Sequence, residues 1–438
     1  AILYQVRGDE MAEPLVEESS AVVEKLSSLL AQGPTHFEIT ILSGVHSCTD
    51  ESDARVLSLD ESLLLVDGRY LGLDARSLPA MTREIRQQYQ RLKRSLGSSC
   101  SAGGGDDDRT TGTLDFLNTL SCLLLVNPDH ATAWADRRRC LLRIVETSVE
   151  DHNSIWTKEL DFVNLLMTQH SKAPFSWAHR KYILDKLIQS AGNREECPYL
   201  LSIFQNEVKL CRDVAERYPK NYYAWTHRRF VLNLVLLSTS VPADTKITLL
   251  EIEWDDIVTK WLPLHVSDHS AVHYALQVFQ FWMLELKASY TSGGDKHSNS
   301  LALGQLASRV TSQVRRLIDS LESHETLWIL RRLVVRMLVE SKSPSCESAI
   351  REDVEEVTTS MERWRNKDAL TQGSAAPNIH SLTFLAWVAE IVQTRNQHVQ
   401  SHSGILSLLP LDLFSMLQDD PRVYHRLWKA TGRRDEYN

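Results

Sequence analysis

The segment YPKNYYAWTHRRFVL, from Tyr218 to Leu232, decides the fold of this chain. It places an indole three residues before an arginine, and the same spacing returns along the sequence. The full copies are Trp134 with Arg137, Trp177 with Arg180, Trp225 with Arg228, and Trp328 with Arg331. A weaker copy has Val272 and Ala275 at the corresponding positions, and successive copies lie 43 to 56 residues apart. A period of this length indicates an array of two-helix units.

Each copy follows an amphipathic segment that ends at a helix-stop signal. Pro219 ends the segment before Trp225, and Asn221 can then cap the next helix because its side chain accepts from an unpaired backbone N–H. The unit is therefore predicted to be helix, short turn, helix. The apolar residues of the first helix are spaced by three or four and share one face: Phe204, Val208, Cys211, Ala215 and Tyr218.

The tryptophan falls in the first turns of the second helix. Trp225, Arg228 and Leu232 are spaced so that they share one helix face. We expect the indole to fill the corner between the two helices of a hairpin and so to hold the unit together. The arginine is expected to reach either the carbonyls that end a neighbouring helix or a carboxylate of the next repeat.

The repeat pattern divides the chain into four regions. Residues 1–94 lack the repeat, and their segments FEITILSGV and SLLLVDGRYLGL are predicted to be extended. Residues 95–110 are predicted to form a flexible Gly/Ser/Asp loop. The five repeats occupy 111–340. Residues 341–438 are predicted to hold loops and C-terminal helices, with DDPRVYHRLWKA (419–430) interpreted as a degenerate terminal repeat.

The composition is that of a soluble protein with a core, since 43% of the residues are hydrophobic and 24% are charged. A formal net charge of -9 argues against nucleic acid as a partner, because phosphate binding needs a basic field. No segment approaches the roughly 20 apolar residues of a membrane span, and the first ten residues lack the order of a signal peptide. The 7 cysteines are scattered without a CxxC pair, which favours a reducing compartment, the cytoplasm.

Motifs of a self-sufficient active site do not occur: there is no GxGxxG, GxxxxGK[ST], GxSxG or HExxH string. His265, His269 and His273 have the spacing of metal ligands on one continuous helix. They straddle the point where the fourth unit turns into its second helix, so a polar turn with an N-capping Asp or Ser is the favoured interpretation. No metal site is predicted in this chain.

Basic and phenolic side chains lie close to the turns of the second and third units. Lys172 and Lys220 each stand five residues before a repeat tryptophan, and Tyr222 stands three before Trp225. In a stack of hairpins the turns line one rim, where a lysine supplies a point charge and a tyrosine a hydroxyl donor to an anion such as a diphosphate. The alternative is a solvated loop lysine and a half-buried tyrosine.

The string PKNYYAWTHRR resembles the Pro-x-Asn-Tyr-x-x-Trp-x-x-Arg signature of the protein prenyltransferase alpha-subunit repeats, and copies of it cover about residues 115 to 340. The fourth and fifth copies and the long non-repeat N terminus set the chain apart from the alpha subunits of farnesyltransferase and of Rab geranylgeranyltransferase. The resemblance implies an all-α right-handed superhelix (solenoid) of hairpins, related to TPR-like repeats. It further implies that this crescent wraps around a beta subunit carrying the zinc and the isoprenoid cavity.

The implied partner is the beta subunit of Rab geranylgeranyltransferase, with no cofactor in this chain itself. The implied reaction transfers a geranylgeranyl group from its diphosphate, bound at the heterodimer interface, to a C-terminal cysteine of a protein substrate. Lys172 matches the family's diphosphate-side lysine and Tyr222 its third-repeat tyrosine, whereas Pro174 replaces the second-repeat tyrosine. That departure and the changes at Val272 and Ala275 leave open a non-catalytic helical-repeat scaffold for protein–protein interaction.

Overall fold

The computed structural model describes thirteen stretches of the chain: 14–31, 38–42, 56–60, 63–66, 70–75, 77–99, 106–148, 151–191, 196–291, 296–321, 324–341, 343–368 and 379–396. They fall into two compact units, Ala1–Arg228 and Arg229–Asn438. No helix within these stretches is long and apolar enough to cross a membrane.

The first unit opens with two helices and a small mixed sheet. Strands β1 and β4 pair in parallel, whereas β3 pairs antiparallel with both β4 and β2, giving the order β1-β4-β3-β2. The two segments predicted to be extended contain β1, β3 and all but the last residue of β4. The bounds are α1 Pro14–Ala31, β1 Glu38–Leu42, β2 Val56–Asp60, β3 Leu63–Val66, β4 Tyr70–Asp74 and α2 Leu78–Ser99.

The flexible loop predicted for 95–110 is wrong at both of its ends. Helix α2 continues to Ser99, and the next helix, α3, already begins at Asp106. The Gly and Ser residues lower helix propensity, but α2 packs along α1 and α3, and this tertiary contact outweighs local preference. Residues 100–105 lie outside the described part of the chain.

Helical hairpins make up the rest of the first unit, and α8 runs on into the second. Within the pairs α3–α4 and α5–α6 the two helices pack directly on one another. Together with α7 and α8, these helices contain the first three predicted repeats, whose tryptophans lie on α4, α6 and α8. Their bounds are α3 Asp106–Val126, α4 Ala131–Thr147, α5 His152–Gln169, α6 Pro174–Ala191, α7 Glu196–Arg217 and α8 Tyr222–Leu237.

The second compact unit also consists of helices packed in pairs. Helix α9 runs into a π-helical turn, Asp256–Trp261, before the chain reverses into α10. The pairs α9–α10, α11–α12 and α13–α14 are in contact, and α11 packs along α13. The remaining bounds are α9 Ala243–Asp255, α10 His269–Thr291, α11 Lys296–Ser320, α12 Glu325–Ser341, α13 Pro344–Asp368 and α14 Ile379–Asn396.

The predicted start and stop signals act as expected. Helix α7 ends at Arg217, just before Tyr218–Pro219, and Asn221 then caps α8, its Oδ1 accepting from the backbone N–H groups of Tyr223 at 3.1 Å and Ala224 at 3.4 Å. Such a cap contributes about 1 kcal/mol. The predicted apolar stripe of α7 is buried at Phe204, Cys211 and Ala215.

The fold class of helical hairpins is confirmed, and the structure adds a sixth hairpin that the sequence analysis did not delimit. It consists of α13 and α14, which both pack against α12. Phe384 of α14 is fully buried and lies 6.0 Å from the ring of Trp328. The segment DDPRVYHRLWKA, interpreted as a degenerate repeat, lies outside the described residues.

Candidate functional site

The turns of the second and third hairpins lie side by side. Asn221 Nδ2 donates to the carbonyl of Ser171 at 3.0 Å, and the Tyr218 hydroxyl donates to the carbonyl of Thr168. Both Asn221 and Ser171 are buried, so the bond between them is shielded from water. These contacts hold Lys172, the residue after Ser171, close to the residues that flank Asn221.

The three predicted anion-binding residues belong to these two turns or adjoin them, and their side chains are exposed. Lys172 and Lys220 are exposed, and Tyr222 is 60% exposed. Lys220 has φ of 60°, in the left-handed region, which lets the chain reverse between α7 and the cap of α8. Beside Pro174, which replaces a tyrosine of the resembled family, Phe175 is 39% exposed. The arrangement presents two ammonium groups, one phenol and one apolar ring to solvent.

Two of the repeat tryptophans bind the turn that precedes their own helix. Trp134 and Trp177 are buried, and their indole N–H groups donate to the carbonyls of Pro128 and Ser171, each at 2.8 Å. In both cases the acceptor lies six residues earlier, in the turn that precedes the second helix. Trp225 is also buried. The indole therefore fills the corner and also satisfies a turn carbonyl that the helix leaves without a partner.

Two of the repeat arginines, Arg137 and Arg180, bind carboxylates of the next repeat, whereas the buried guanidinium of Arg228 lies 5.6 Å from the ring of Trp225. Arg137 donates to both oxygens of Glu159 at 2.7 and 2.8 Å. Arg180 donates to both oxygens of Glu207 at 2.6 Å. Arg137 also reaches a helix carbonyl, that of Leu117, at 3.2 Å. Two parallel charge-assisted hydrogen bonds give each pair a defined geometry as well as attraction.

A histidine two residues after the tryptophan completes each of these clusters. His179 Nε2 lies 2.7 Å from Glu159, and His227 Nε2 lies 2.7 Å from Glu207. Their rings also pack on the tryptophan of the preceding repeat, with centroid distances of 4.6 Å for Trp134–His179 and 5.0 Å for Trp177–His227. Each carboxylate thus joins the arginine of one repeat to the histidine of the next.

The burial of these clusters fixes their protonation. Burial by itself would raise the pKa of Glu159, but Arg137 and His179 outweigh it and lower the pKa to about 2. Arg180 and His227 do the same for Glu207. Burial lowers the pKa of His227, although Glu207 opposes this shift. Burial likewise lowers the pKa of His179, and there Glu159 opposes it. An ionised carboxylate only accepts hydrogen bonds, so the Nε2 atom carries the histidine proton.

The fourth unit keeps this architecture with other residues. Val272 and Ala275, which stand at the Trp and Arg positions, are buried like the residues they replace. Tyr274 occupies the histidine position, and its hydroxyl donates to Glu253. Aromatic bulk comes from Trp254, fully buried on the first helix. The weak repeat is therefore a hairpin with a different set of core residues. Its Tyr274–Glu253 hydrogen bond takes the place of the histidine–glutamate contact of the second and third hairpins.

The fifth unit again has both the tryptophan and the arginine, with Leu330 at the histidine position. Arg331 is buried and donates to both oxygens of Asp353 at 2.9 and 2.7 Å. Its guanidinium lies 5.3 Å from the ring of Trp328, a cation–π contact. Asp353 belongs to α13, so it plays the part of Glu159 and identifies the α13–α14 hairpin as a further unit of the array.

His265, His269 and His273 lie around a polar turn with an N-capping aspartate, the interpretation that the sequence favoured. His265 lies in the turn and stacks on Trp261 at 4.0 Å, whereas His269 is the first residue of α10. Asp268 caps this helix by accepting from the backbone N–H groups of Ser270 and Ala271. Within the described stretches, no three His, Cys, Asp or Glu side chains group as a metal site.

Sequence reasoning missed the acidic members of the buried clusters. Glu159 and Asp353 each follow their arginine by 22 residues, whereas Glu207 follows Arg180 by 27. An acidic residue among the apolar positions of the first helix of each hairpin was the signal that could have identified these carboxylates. A buried charge needs a partner of opposite charge, so such a residue indicates a buried ion pair. The histidines at positions 179 and 227 carry a plainer signal, since both stand two residues after a repeat tryptophan.

Comparison with known families agrees with these features. Residues 156–187 and 204–235, which span α5–α6 and α7–α8, match the model of the protein prenyltransferase alpha subunit repeat. The resemblance stated from the sequence is thereby confirmed: the chain carries repeats of this type.

Curated relatives point the same way. Protein prenyltransferase alpha subunit repeat-containing protein 1 of Danio rerio is 30% identical over 246 residues, which are 50% of this chain and 54% of that protein. Its Homo sapiens namesake is 30% identical over 249 residues, 50% of this chain and 58% of its own length. Geranylgeranyl transferase type-2 subunit alpha of Sus scrofa is 34% identical over 90 residues, 20% of this chain and 16% of its own. The chain spans about half the length of the repeat-containing relatives.

Proposed function

We propose that this chain, a carrier of protein prenyltransferase alpha subunit repeats, is the alpha subunit of a heterodimeric protein geranylgeranyltransferase. Its partner is a beta subunit, that of Rab geranylgeranyltransferase, and its substrates are proteins with a C-terminal cysteine. The similarity to a geranylgeranyl transferase alpha subunit supports the isoprenoid class. The observation that supports the proposal is the Asn221–Ser171 hydrogen bond, which joins the turn that contains Lys172 to the segment that contains Lys220 and Tyr222.

The exposed rim suits a leaving diphosphate. As the acceptor sulfur bonds to C1 of the isoprenoid, the C1–O bond breaks and its electron pair leaves with the diphosphate. Lys172 and Lys220 offer positive charge to the developing anion, and Tyr222 offers a hydroxyl donor. Because the buried Asn221–Ser171 hydrogen bond joins the two turns, the backbone that carries these groups is held in place before substrate arrives. The zinc that the family resemblance assigns to the beta subunit would supply an activated thiolate.

Two buried cysteines of the chain are poor nucleophiles. Burial raises the pKa of Cys122 to about 12 and that of Cys140 to about 11, so both thiols stay protonated at neutral pH. In the proposed reaction the reacting thiol is that of the acceptor protein. The thiols of these cysteines are free, and we place the heterodimer in the cytoplasm, where thiols stay reduced.

A second candidate is a helical-repeat scaffold that binds proteins and catalyses nothing. Pro174 favours it, because the residue carries no hydroxyl at a position where the resembled family has a tyrosine. The fourth unit does not favour it, since Tyr274 and Glu253 preserve the buried connection.

Co-expression with the beta subunit of Rab geranylgeranyltransferase separates the two candidates. The proposed function expects a stable heterodimer that transfers labelled isoprenoid from geranylgeranyl diphosphate to proteins ending in cysteine. A purified heterodimer without transfer to any such substrate would leave the scaffold as the function. Failure to form a heterodimer at all would reject the proposed partner.

A further inference from the structure

The solvent-facing side of α2 carries a concentration of arginines. Arg83, Arg86, Arg91 and Arg94 are all exposed, and we call these four residues the α2 arginine stripe. At about 100° per residue they fall within an arc of roughly 140°, and at about 1.5 Å per residue they extend over roughly 16 Å of the helix. They line a groove of about 870 Å³.

The opposite face of α2 is firmly anchored. Met81 and Ile85 are fully buried, and the buried Tyr89 donates its hydroxyl to Asp136 of α4 at 2.8 Å. Lys93 Nζ donates to the same carboxylate at 2.6 Å. The helix is therefore a fixed platform, and its exposed arginines need little ordering of the backbone to meet a partner.

The charge of α2 is opposite to that of the chain as a whole. The helix contains five basic residues and one acidic residue, whereas the whole chain has a formal net charge of -9. The acidic residue, Glu84, is buried and binds Arg91 at 3.0 Å. The remaining positive charge faces solvent, so the groove concentrates a positive field on an otherwise acidic protein.

We propose that the α2 arginine stripe is a docking surface for an acidic segment of a protein partner. The guanidinium groups of Arg83 and Arg86 can each bind a carboxylate through two parallel hydrogen bonds. Arg91, which also binds Glu84, and Arg94, which also donates to the Gln90 carbonyl, add positive charge. Gln87 and Gln90, which also line the groove, offer amide donors and acceptors to the backbone of an extended peptide. Four cations spread over the helix fit a row of carboxylates better than one compact anion.

The chemistry of the groove disfavours other polyanions. Among the described residues that line it, Pro79 is the one apolar side chain and none is aromatic. Membrane-surface helices insert apolar side chains beside their basic ones, and single-stranded nucleic acids stack their bases on aromatic rings. The stripe lies on α2, whereas Lys172 lies in the turn between α5 and α6 and Tyr222 begins α8, so the binding test does not depend on the proposed transfer reaction.

The test measures binding of a defined probe to the full chain. A fluorescein-labelled peptide of repeated Glu-Asp-Gly triplets is titrated at low salt and followed by fluorescence anisotropy. We expect saturable binding that weakens as salt is added. The variant Arg83→Gln/Arg86→Gln, with its fold checked by circular dichroism, should bind about tenfold more weakly.

The matched control, Lys209→Gln/Lys260→Gln, removes the same charge from exposed lysines elsewhere and should bind as the parent does. Equal weakening in both variants would mean that net charge alone attracts the peptide, and would overturn the proposal. So would a parent chain that binds a Gln-Asn-Gly peptide equally well. Tighter stripe-dependent binding to phosphatidylserine vesicles, or to a uridine oligonucleotide, would reassign the surface to that ligand.

Discussion

The guanidinium of Arg180 and the carboxylate of Glu207 form two hydrogen bonds of 2.6 Å, although the residues are 27 positions apart and belong to different repeats. From the other side, His227 Nε2 lies 2.7 Å from the same carboxylate. Both members of the ion pair are buried. One carboxylate therefore specifies how the second and third hairpins stack, and the Arg137–Glu159–His179 cluster repeats the arrangement one unit earlier.

Removing the Glu207 charge should destabilise the chain strongly. Glu207→Gln leaves the Arg180 guanidinium buried without its counter-charge, and such a loss costs about 3–5 kcal/mol. Urea unfolding followed by tryptophan fluorescence should show a clearly lower midpoint. Glu216→Gln, an exposed change on the same helix, should stay within about 0.5 kcal/mol of the parent. Equal midpoints for the two variants would show that the cluster is not a stabilising contact.

Mild acid should weaken the fold through the buried histidines. The pKa values of His179 and His227 are lower in the folded chain than the ordinary 6.5, so the unfolded chain binds more protons. Their contribution is fully present above pH 6.5 and is lost as the pH falls below it. We expect the melting temperature to drop between about pH 7.5 and pH 5.5.

The variant His179→Gln/His227→Gln tests the source of that drop. Glutamine keeps an N–H donor for each glutamate but cannot titrate, so its melting temperature should change less over the same interval. A drop as steep as that of the parent would assign the effect to other groups. Below about pH 4.5, both proteins should lose further stability. The carboxylates of Glu159 and Glu207 have a pKa of about 2 in the folded chain, so they take up protons when the chain unfolds at this pH.

Asn221 should have two separable roles. Asn221→Asp keeps an oxygen that caps α8 but loses the Nδ2 donor to the Ser171 carbonyl, whereas Asn221→Ala loses both. Alanine should therefore lower the free energy of unfolding by about 1–3 kcal/mol, and aspartate should keep the part that comes from capping. In the proposed heterodimer, both should lower turnover, because the turn with Lys172 is released. Full turnover in both variants would show that the Asn221–Ser171 hydrogen bond is not needed for catalysis.

Lys172 should matter for chemistry more than for assembly. Under the proposed function, Lys172→Ala removes a cation from the departing diphosphate and should reduce kcat by at least about tenfold. Heterodimer formation, measured by size-exclusion chromatography, should be unchanged, because the proposed role of this exposed side chain is to bind the diphosphate and not the beta subunit. The control is Lys209→Ala, which removes another exposed lysine from the compact unit Ala1–Arg228. Equal loss of turnover and of assembly would identify Lys172 as an interface residue.

Local features of the chain were accessible to sequence reasoning. The stop at Tyr218–Pro219, the cap at Asn221 and the strand in FEITILSGV depend on a few neighbouring residues, and the structure has each of them. The predicted loop at 95–110 failed because α2 and α3 gain stability from packing on one another, which composition does not express. The acidic partners were missed for a similar reason: their distance from the arginine varies from 22 to 27 residues as loops change length.

The sequence by itself determined the hairpin repeat, because helix periodicity, turn residues and the Trp-x-x-Arg spacing are properties of short contiguous segments. Only the tertiary structure decided which carboxylate receives each arginine and that the Lys172 and Tyr222 turns lie side by side. Those contacts join residues on different helices, and they depend on how the helices stack in three dimensions. A hydrogen bond such as Asn221–Ser171 spans 50 positions of the chain, and no local pattern encodes that distance.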